Sequence, residues 1–194
     1  IFSTAAIILS PLGETIVAAH QIAMSVTSQL FMIPMSLAIA LTIRVGTYYG
    51  EKNWIAMRKV QKLGLATGTV LALMTMLLIA LFRPEIVAIY TSDHEVSEVA
   101  MYLLLFALAY QLMDAWQISA AGCLRGMQDT KGPMWITMVA YWIVAFPVSI
   151  YLARYTNIGA AGVWIGLIVG LSVACALLLL RLYNNNKRLS HDYP

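Results

Sequence analysis

The sequence has few charged residues, since Asp, Glu, Lys and Arg together make up 11% of its 194 positions. Soluble domains carry about a quarter charged residues. A chain with so little charge cannot cover a globule with polar side chains. The charged residues are also clustered, which leaves long runs almost without them. This composition excludes an ordinary soluble domain and indicates an integral membrane protein.

The residue patterns that mark enzymes and nucleic-acid-binding proteins are also missing. Cys123 and Cys175 belong to no CxxC or Cys/His pattern, so we interpret both as packing residues. No glycine-rich phosphate loop and no Ser/His/Asp arrangement is evident, which argues against ATP hydrolysis and nucleophilic catalysis. The basic residues flank apolar runs without interleaved aromatic residues, which argues against a nucleic-acid partner. We expect neither an enzyme nor an organic cofactor.

Five apolar runs are long enough to cross a membrane as helices, which requires roughly 20 residues. They are Val17–Ile43, Leu63–Phe82, Val99–Leu124, Pro133–Leu152 and Gly162–Tyr183. The opening run, Ile1–Leu9, is shorter and is expected to be the end of a further helix. The predicted fold is an all-α, polytopic transmembrane bundle over residues 1–183, with a polar cytoplasmic tail at residues 184–194.

The distribution of basic residues predicts the orientation of this bundle. Arg83 and Arg154 fall on one side of the membrane, and all the other Lys and Arg residues fall on the opposite side. The positive-inside rule makes the basic side cytoplasmic. Arg125, Asp129 and Lys131 lie in the short cytoplasmic loop LRGMQDTKGP, where we expect the charges to clamp the loop rather than bind phosphate.

Small and rigid residues mark contacts and bends within the spans. Gly162, Gly166 and Gly170 share one helical face and permit close helix approach. This face is either a dimer contact or, as we favour, a contact within the bundle. Pro34 and Pro147 each remove a backbone hydrogen bond and can kink a helix. Such a kink could serve as a hinge or only set the shape of the span.

Polar and aromatic residues near the span ends have less specific interpretations. His20 opens the first span, where it could titrate or make a hydrogen bond at the membrane interface. Gln21 and Gln29 lie close to one face of the same helix and could contact a substrate or a neighbouring helix. The tryptophans are interpreted as interface anchors rather than ligand contacts; they are Trp116, Trp135, Trp142 and Trp164.

Asp114 is the residue that most strongly suggests a function. It lies deep in the third span, where a charged Asp is unfavourable by about 2.5 to 3.5 kcal/mol. Tyr110, Gln111 and Gln117 lie on the same side of the helix. Such a stripe lines a cavity or a polar contact between helices. The carboxyl group could carry a proton or, when ionised, bind Na⁺; alternatively, it only joins helices by hydrogen bonding.

Longer stretches of the sequence resemble the multidrug and toxin extrusion (MATE) family, and its bacterial NorM-type pumps in particular. They are AAGCLRGMQDTKGP with the preceding Asp114-Ala115, YWIVAFPVSIYL, GAAGVWIGLIVG and GETIVAAHQIAMSVTSQLFMIPMSLAIALTIRVGTYYGE. The resemblance implies an inner-membrane transporter with twelve helices in two lobes. Such a protein exports cationic, amphipathic drugs and dyes in exchange for Na⁺ or H⁺. This chain would then be most of the C-terminal lobe, from the end of helix seven through helix twelve.

The resemblance also assigns roles to individual residues. Asp114 matches an acidic residue of helix ten implicated in cation coupling, and Tyr110 matches a tyrosine beside that cation. Gln21 matches a cavity residue near bound substrate, and we place Gln111 and Gln117 in the same cavity. A second acidic residue of the cation site and the N-terminal lobe are expected upstream of Ile1. The chain would therefore need that lobe as its partner for transport.

Two other functions fit parts of the sequence. A lipid-linked oligosaccharide flippase of the same superfamily would need a cationic cavity, and no Lys or Arg lies deep in a span. A membrane fragment without transport activity of its own would agree with the short opening run.

Overall fold

The computed structural model describes residues 13–156 and 158–192, and every regular element in these ranges is helical. The helices are α1 (Glu14–Gly50), α2 (Trp54–Ala88), α3 (His94–Gly126), α4 (Lys131–Val139), a π-helical turn (Ala140–Ala145), α5 (Phe146–Tyr155) and α6 (Ala160–Asp192). Five crossings have the length and composition of membrane spans, and α4, the π turn and α5 together form the fourth. The predicted all-α bundle is confirmed. The opening run Ile1–Leu9 lies outside the described residues.

Short polar turns connect the first three helices. Asn53 caps the start of α2 by accepting a hydrogen bond from the Ala56 amide at 3.1 Å. Asp93 caps α3 by accepting hydrogen bonds from the amides of Glu95 and Val96. A side-chain oxygen at this position satisfies amides that have no partner within the helix. Because the turns are short, consecutive helices run in opposite directions and meet as neighbours.

The helices extend further than the apolar runs predicted. α1 has 37 residues, so at 1.5 Å per residue it is about 55 Å long and exceeds the roughly 30 Å hydrocarbon layer. Residues 184–192, part of the predicted tail, continue α6 as a helix as far as Asp192. The Asn186 side chain donates a hydrogen bond to Gln61 Oε1 at 2.7 Å. Its backbone carbonyl accepts a hydrogen bond from Arg58 at 3.1 Å. These contacts tie the extension to α2. Residues 193–194 lie outside the described ranges.

Three of the prolines inside the spans, Pro34, Pro84 and Pro147, act differently from one another. α1 continues as one helix through Pro34, so no break occurs there. Pro147 occupies the first turn of α5, directly after the π turn. A π turn widens the helix by one residue and accommodates the carbonyl that proline leaves without a donor. In α2 the backbone of Phe82 leaves the helical region, two residues before Pro84.

The glycine face of α6 packs within the bundle. A Cβ atom added at Gly162 would lie 2.8 Å from the carbonyl carbon of Leu152, and one at Gly166 would lie 2.6 Å from the amide nitrogen of Ser149. Ser149 Oγ also donates a hydrogen bond to the Val163 carbonyl across this contact. The glycines therefore let α5 and the π turn approach α6 closely. This agrees with the contact within the bundle that we favoured over a dimer contact.

α3 is the central helix and packs against α1, α2 and α6. Its first half contributes Leu103, Leu104 and Ala107 to one apolar cluster. Its last turns contribute Ala120 and Leu124 to a second cluster. Between the two apolar clusters, α3 carries buried polar side chains.

Candidate functional site

The polar side chains between the two apolar clusters are those predicted from the sequence. Asp114 is only 3% exposed, and Gln111 and Gln117 on the same helix are also buried. We call these three residues the Asp114 layer. Tyr110, one turn before Asp114, is buried as well. The structure therefore places the predicted polar stripe inside the bundle, at the middle of its central helix.

The hydrogen bonding of Asp114 is incomplete within the protein. Its Oδ2 atom is buried and accepts no hydrogen bond from any residue in the described ranges. Buried polar atoms are nearly always paired, because an unpaired one loses its hydration without compensation. A carboxylate that served only to join two helices would have both oxygens engaged. Asp114 is thus a buried acceptor with capacity for a proton or a cation.

Two tyrosines from different elements interact electrostatically with this carboxyl group. The phenol groups of Tyr110 on α3 and Tyr141 in the π turn lie within electrostatic reach of Asp114. Tyr110 was predicted, whereas Tyr141 was missed. Tyr141 lies on a different element from Asp114. Helical periodicity relates only residues of the same helix, so it gives no sign that Tyr141 lies near Asp114.

An aromatic layer adjoins the Asp114 layer and consists of His20, Tyr110 and Trp164. The rings of His20 and Trp164 meet edge to face with centroids 5.9 Å apart, and those of Tyr110 and Trp164 do so at 6.2 Å. These residues come from α1, α3 and α6, so the layer joins three helices. Edge-to-face contacts of this kind are favourable in apolar surroundings.

Two interpretations from the sequence are wrong at this layer. Trp164 is fully buried, so it is not an interface anchor. His20 is 1% exposed and therefore does not make a hydrogen bond at the membrane interface. Neither ring nitrogen of His20, nor the indole nitrogen of Trp164, is hydrogen-bonded to a described residue. Both interpretations placed the residue by its distance from the end of a predicted span. Because the helices extend beyond the membrane, that distance does not give the depth of a residue in the bilayer.

The glutamines predicted to line one cavity do not lie together. Gln111 and Gln117 are buried in the bundle, whereas Gln21 is exposed on α1. Gln29 is also exposed, and it donates a hydrogen bond to the Tyr90 hydroxyl at 3.0 Å. The role of Gln21 as a cavity residue stays a prediction. If that role is correct, the cavity lies on the exposed face of α1.

The composition of the site limits how it could hold a metal ion. Within residues 13–156 and 158–192, no group of three or more His, Cys, Asp or Glu side chains is placed to bind one. A transition-metal centre built from these side chains is therefore not present in the described ranges. A hard monovalent cation at Asp114 would need neutral oxygens besides the carboxylate, from hydroxyl, amide or carbonyl groups.

The loop between α3 and α4 forms a different kind of acidic site. Asp129 accepts hydrogen bonds from Arg181 Nε at 2.5 Å and Arg181 Nη2 at 3.0 Å. Asn185 donates to the same carboxylate at 3.1 Å, and the Gly132 amide does so at 3.2 Å. The hydrogen bonds from Arg181 hold the pKa of Asp129 below its usual value. These four residues form the loop clamp, which confirms the prediction for the charge of Asp129.

Comparison with known proteins connects this fold to membrane transporters. Residues 1–151 match the MatE family. The chain is 75% identical over 192 residues to a probable multidrug resistance protein NorM of Acinetobacter baylyi, covering 99% of this chain and 43% of that protein.

Solved structures show the same fold. One is the outward-facing conformation of a multidrug resistance MATE family transporter of the MOP superfamily, with a TM-score of 0.89 and 20% identity. Another is the eukaryotic MATE transporter AtDTX14, with a TM-score of 0.88 and 21% identity. The similarity covers 98% of this chain in both cases, but 42% and 44% of the respective transporters.

The chain thus spans less than half the length of the proteins that it matches. The five helices of membrane-spanning length and the sequence similarity both indicate a multi-pass membrane protein. The match over residues 1–151 extends through the third span with Asp114 and the fourth span with Tyr141. The chain belongs to the MatE family.

Proposed function

We propose that this chain forms one lobe of a multidrug efflux transporter in the bacterial inner membrane. The complete transporter exports cationic, amphipathic drugs and dyes in exchange for Na⁺ or H⁺. The identity with a probable multidrug resistance protein supports this function. Since the chain covers less than half of that relative, transport requires a second lobe that supplies the other wall of the drug cavity.

The buried Oδ2 atom of Asp114, which lacks a described hydrogen-bond partner, is the observation that carries this proposal. Charge inside a membrane bundle is rare, and it usually marks an ion pathway or a proton relay. Asp114 has no basic partner in its layer that would fix it as an ion pair. Its ionised form is therefore balanced only when a proton or a cation arrives.

The surroundings of Asp114 suit both coupling ions. A proton would neutralise the carboxyl group directly. A Na⁺ ion would bind the carboxylate together with hydroxyl oxygens of Tyr110 and Tyr141 and amide oxygens of Gln111 and Gln117. Oxygen atoms of this kind are the ligands that hard cations prefer.

Coupling to drug export follows from the position of Asp114 on α3. This helix contacts α1, α2 and α6, so a change of charge at Asp114 alters contacts of three helices. Antiport requires the cation and the drug to bind the two states of the transporter with different affinities. A cation at Asp114 favours the state that releases the drug outward, and its departure restores the state that binds the next drug.

The orientation of the lobe follows from its charges. The turn between α1 and α2, the loop between α3 and α4 and the end of α6 meet at one end of the bundle, joined by the contacts of Asn186 and Asp129. This end, which we call the basic end, carries most of the Lys and Arg residues. By the positive-inside rule it faces the cytoplasm, together with the C-terminus.

Dye efflux from cells tests this function. The complete transporter, its Asp114→Asn variant and this chain alone are compared under an imposed Na⁺ or proton gradient. Glu98→Gln is a matched control, because Glu98 is an exposed carboxylate on the same helix. We expect efflux from the complete transporter and the control variant, and none from Asp114→Asn or the chain alone.

The more effective gradient identifies the coupling ion. Coupled efflux by Asp114→Asn at normal expression would contradict the role of this carboxylate. Efflux by the chain alone would contradict the need for a second lobe. Restored efflux on adding a separately expressed N-terminal lobe would distinguish a functional lobe from an inactive fragment.

A further inference from the structure

A groove of about 400 Å³ lies between α2 and α6 at the basic end, away from Asp114. Three basic side chains line it: Arg58 and Lys62 from α2, and Lys187 from α6. None of the described residues that line the groove is acidic. Arg58 is held in place by its hydrogen bond to the Asn186 carbonyl at 3.1 Å. The groove therefore presents concentrated positive charge, part of it held in place at Arg58.

The opposite part of the groove is apolar. Leu65 lies one helical turn from Lys62 toward the centre of the membrane, and Leu179 lies two turns from Lys187 in the same direction. At 1.5 Å per residue the charges and the leucines are separated by about 5 to 12 Å along the helices. The groove is thus cationic at its outer end and apolar at its inner end.

The gap between α2 and α6 also bears on what the groove can hold. Tyr183, which lines the groove on α6, is 66% exposed. α2 and α6 touch each other at few points, although α2 packs extensively on α3. The space between α2 and α6 is therefore open toward the side of the bundle.

We propose that this groove binds an anionic phospholipid from the leaflet at the basic end. Its phosphate lies among Arg58, Lys62 and Lys187, and one acyl chain lies on Leu65 and Leu179. A soluble anion would use the charges but leave the leucines unused. A zwitterionic lipid would use the leucines but carry no net charge to match the basic residues. Basic pockets between transmembrane helices on the cytoplasmic side are known to suit anionic head groups.

The bound lipid joins α2 to the end of α6. It fills the space that direct packing leaves between these helices and neutralises part of their mutual repulsion. We therefore expect the lipid to stabilise the extension of α6 and to raise the thermal stability of the protein. This site is independent of the proposed cation coupling, since it shares no residue with the Asp114 layer.

Titration of the complete transporter in mild detergent with dioleoylphosphatidylglycerol tests the site, with native mass spectrometry reporting bound lipid. The groove variant is Lys62→Gln/Lys187→Gln. The control, Arg44→Gln/Lys59→Gln, removes equal charge from exposed residues at the same end that do not line the groove. At low salt we expect roughly 30-fold weaker binding by the groove variant, on the basis of the effect of each basic residue on anionic-lipid binding. The control should bind like the wild type.

Two further measurements identify the ligand. Phosphatidylcholine should bind no better to the wild type than to the groove variant, and glycerol phosphate should not displace the bound phosphatidylglycerol. The anionic lipid should raise the melting temperature of the wild type but not that of the groove variant. Equal lipid binding by the groove and control variants would overturn the proposal, as would displacement by glycerol phosphate or equal affinity for both lipids.

Discussion

Asp114 and Asp129 belong to the same chain but lie in opposite surroundings. Asp129 accepts hydrogen bonds from Arg181, Asn185 and the Gly132 amide. Asp114 is more deeply buried, and its Oδ2 atom accepts none from a described residue. A carboxylate with several donors stabilises a loop, whereas a buried carboxylate oxygen without a donor can accept a proton or a cation. We therefore predict that Asp129 is structural and that Asp114 takes part in transport.

Transport should show the largest difference between the two aspartates. We expect Asp114→Asn to reduce drug efflux by on the order of 100-fold, within the range of coupling between two binding sites. Asn has nearly the same shape but cannot take up a proton or balance a cation. Asp129→Asn should change efflux by less than about twofold, because its partners are structural. Initial rates of dye efflux, normalised to transporter in the membrane, measure both.

Equal losses of efflux in the two variants would show that the comparison is wrong. Asp129 would then take part in the transport cycle, despite being paired. The test requires the Asp114→Asn variant to reach normal levels in the membrane. Size-exclusion chromatography of the purified variant shows whether it is folded.

Gly122 lies on α3 between the two aspartates and should show the largest effect on stability. A Cβ atom at this position would lie 2.6 Å from the backbone carbonyl oxygen of Ala38, so α1 and α3 would have to separate. Overpacking of this kind is unfavourable by about 1 to 3 kcal/mol. We expect Gly122→Ala to lower the melting temperature of the purified transporter. Gly50→Ala is the control, because a Cβ atom at Gly50 meets nothing within 4 Å.

A melting temperature of Gly122→Ala equal to that of Gly50→Ala would show that the α1–α3 contact is not limiting for stability. Efflux by the remaining folded protein should persist, because the substitution removes no group from the Asp114 layer. Loss of efflux without loss of stability would instead indicate that the spacing of α1 and α3 is part of the transport cycle.

The sequence predicts the number and type of the helices because the membrane imposes strong constraints. Lipid requires every backbone group to be paired within the span, so five long apolar runs predict five helical crossings. The same runs underestimate helix length, since hydropathy records only the part inside hydrocarbon. The continuation of α6 depends on contacts of Asn186 with Gln61 and Arg58, which sequence spacing does not reveal.

The site was predictable along one helix but not across helices. Asp114, Tyr110, Gln111 and Gln117 are related by helical periodicity, and all four are buried as expected. Residues from other helices have no such relation to Asp114. Tyr141 was therefore missed. The burial of His20 and Trp164 became evident only from the packing of α1 and α6.

The loop clamp should make a moderate contribution to stability. Asp129→Asn retains the shape of the side chain but removes the charge that Arg181 neutralises. An exposed ion pair contributes up to about 1 kcal/mol, which corresponds to a fall in melting temperature of about 2 to 4 °C for a chain of this size. Differential scanning fluorimetry measures this change. A melting temperature equal to that of the wild type would show that the clamp adds nothing to stability.

The same clamp should respond to pH in a defined direction. The pKa of Asp129 is lowered by Arg181 in the folded protein. The stability that the clamp contributes is therefore fully present above the carboxyl pKa of the unfolded chain, about 3.9. It is lost as the pH falls through the lower pKa of the folded state. The melting temperatures of wild type and Asp129→Asn should differ by a constant amount from pH 5 to 7 and converge below about pH 4. A constant difference down to pH 3 would contradict this linkage.

His20 provides the sharpest limit on the extent of the Asp114 site. Like Asp114, it is buried and has side-chain atoms without a described hydrogen-bond partner. Its contact with Trp164 is made by ring edges and faces, which His20→Phe retains. Because the substitution removes unpaired polar atoms, we expect a change in unfolding free energy of less than about 1.5 kcal/mol and efflux within about threefold of wild type. Dye efflux and melting temperature, measured beside Asp114→Asn, distinguish the two residues. Loss of efflux in His20→Phe with normal stability would extend the functional site from the Asp114 layer into the aromatic layer. Both buried residues with unpaired polar atoms would then take part in transport.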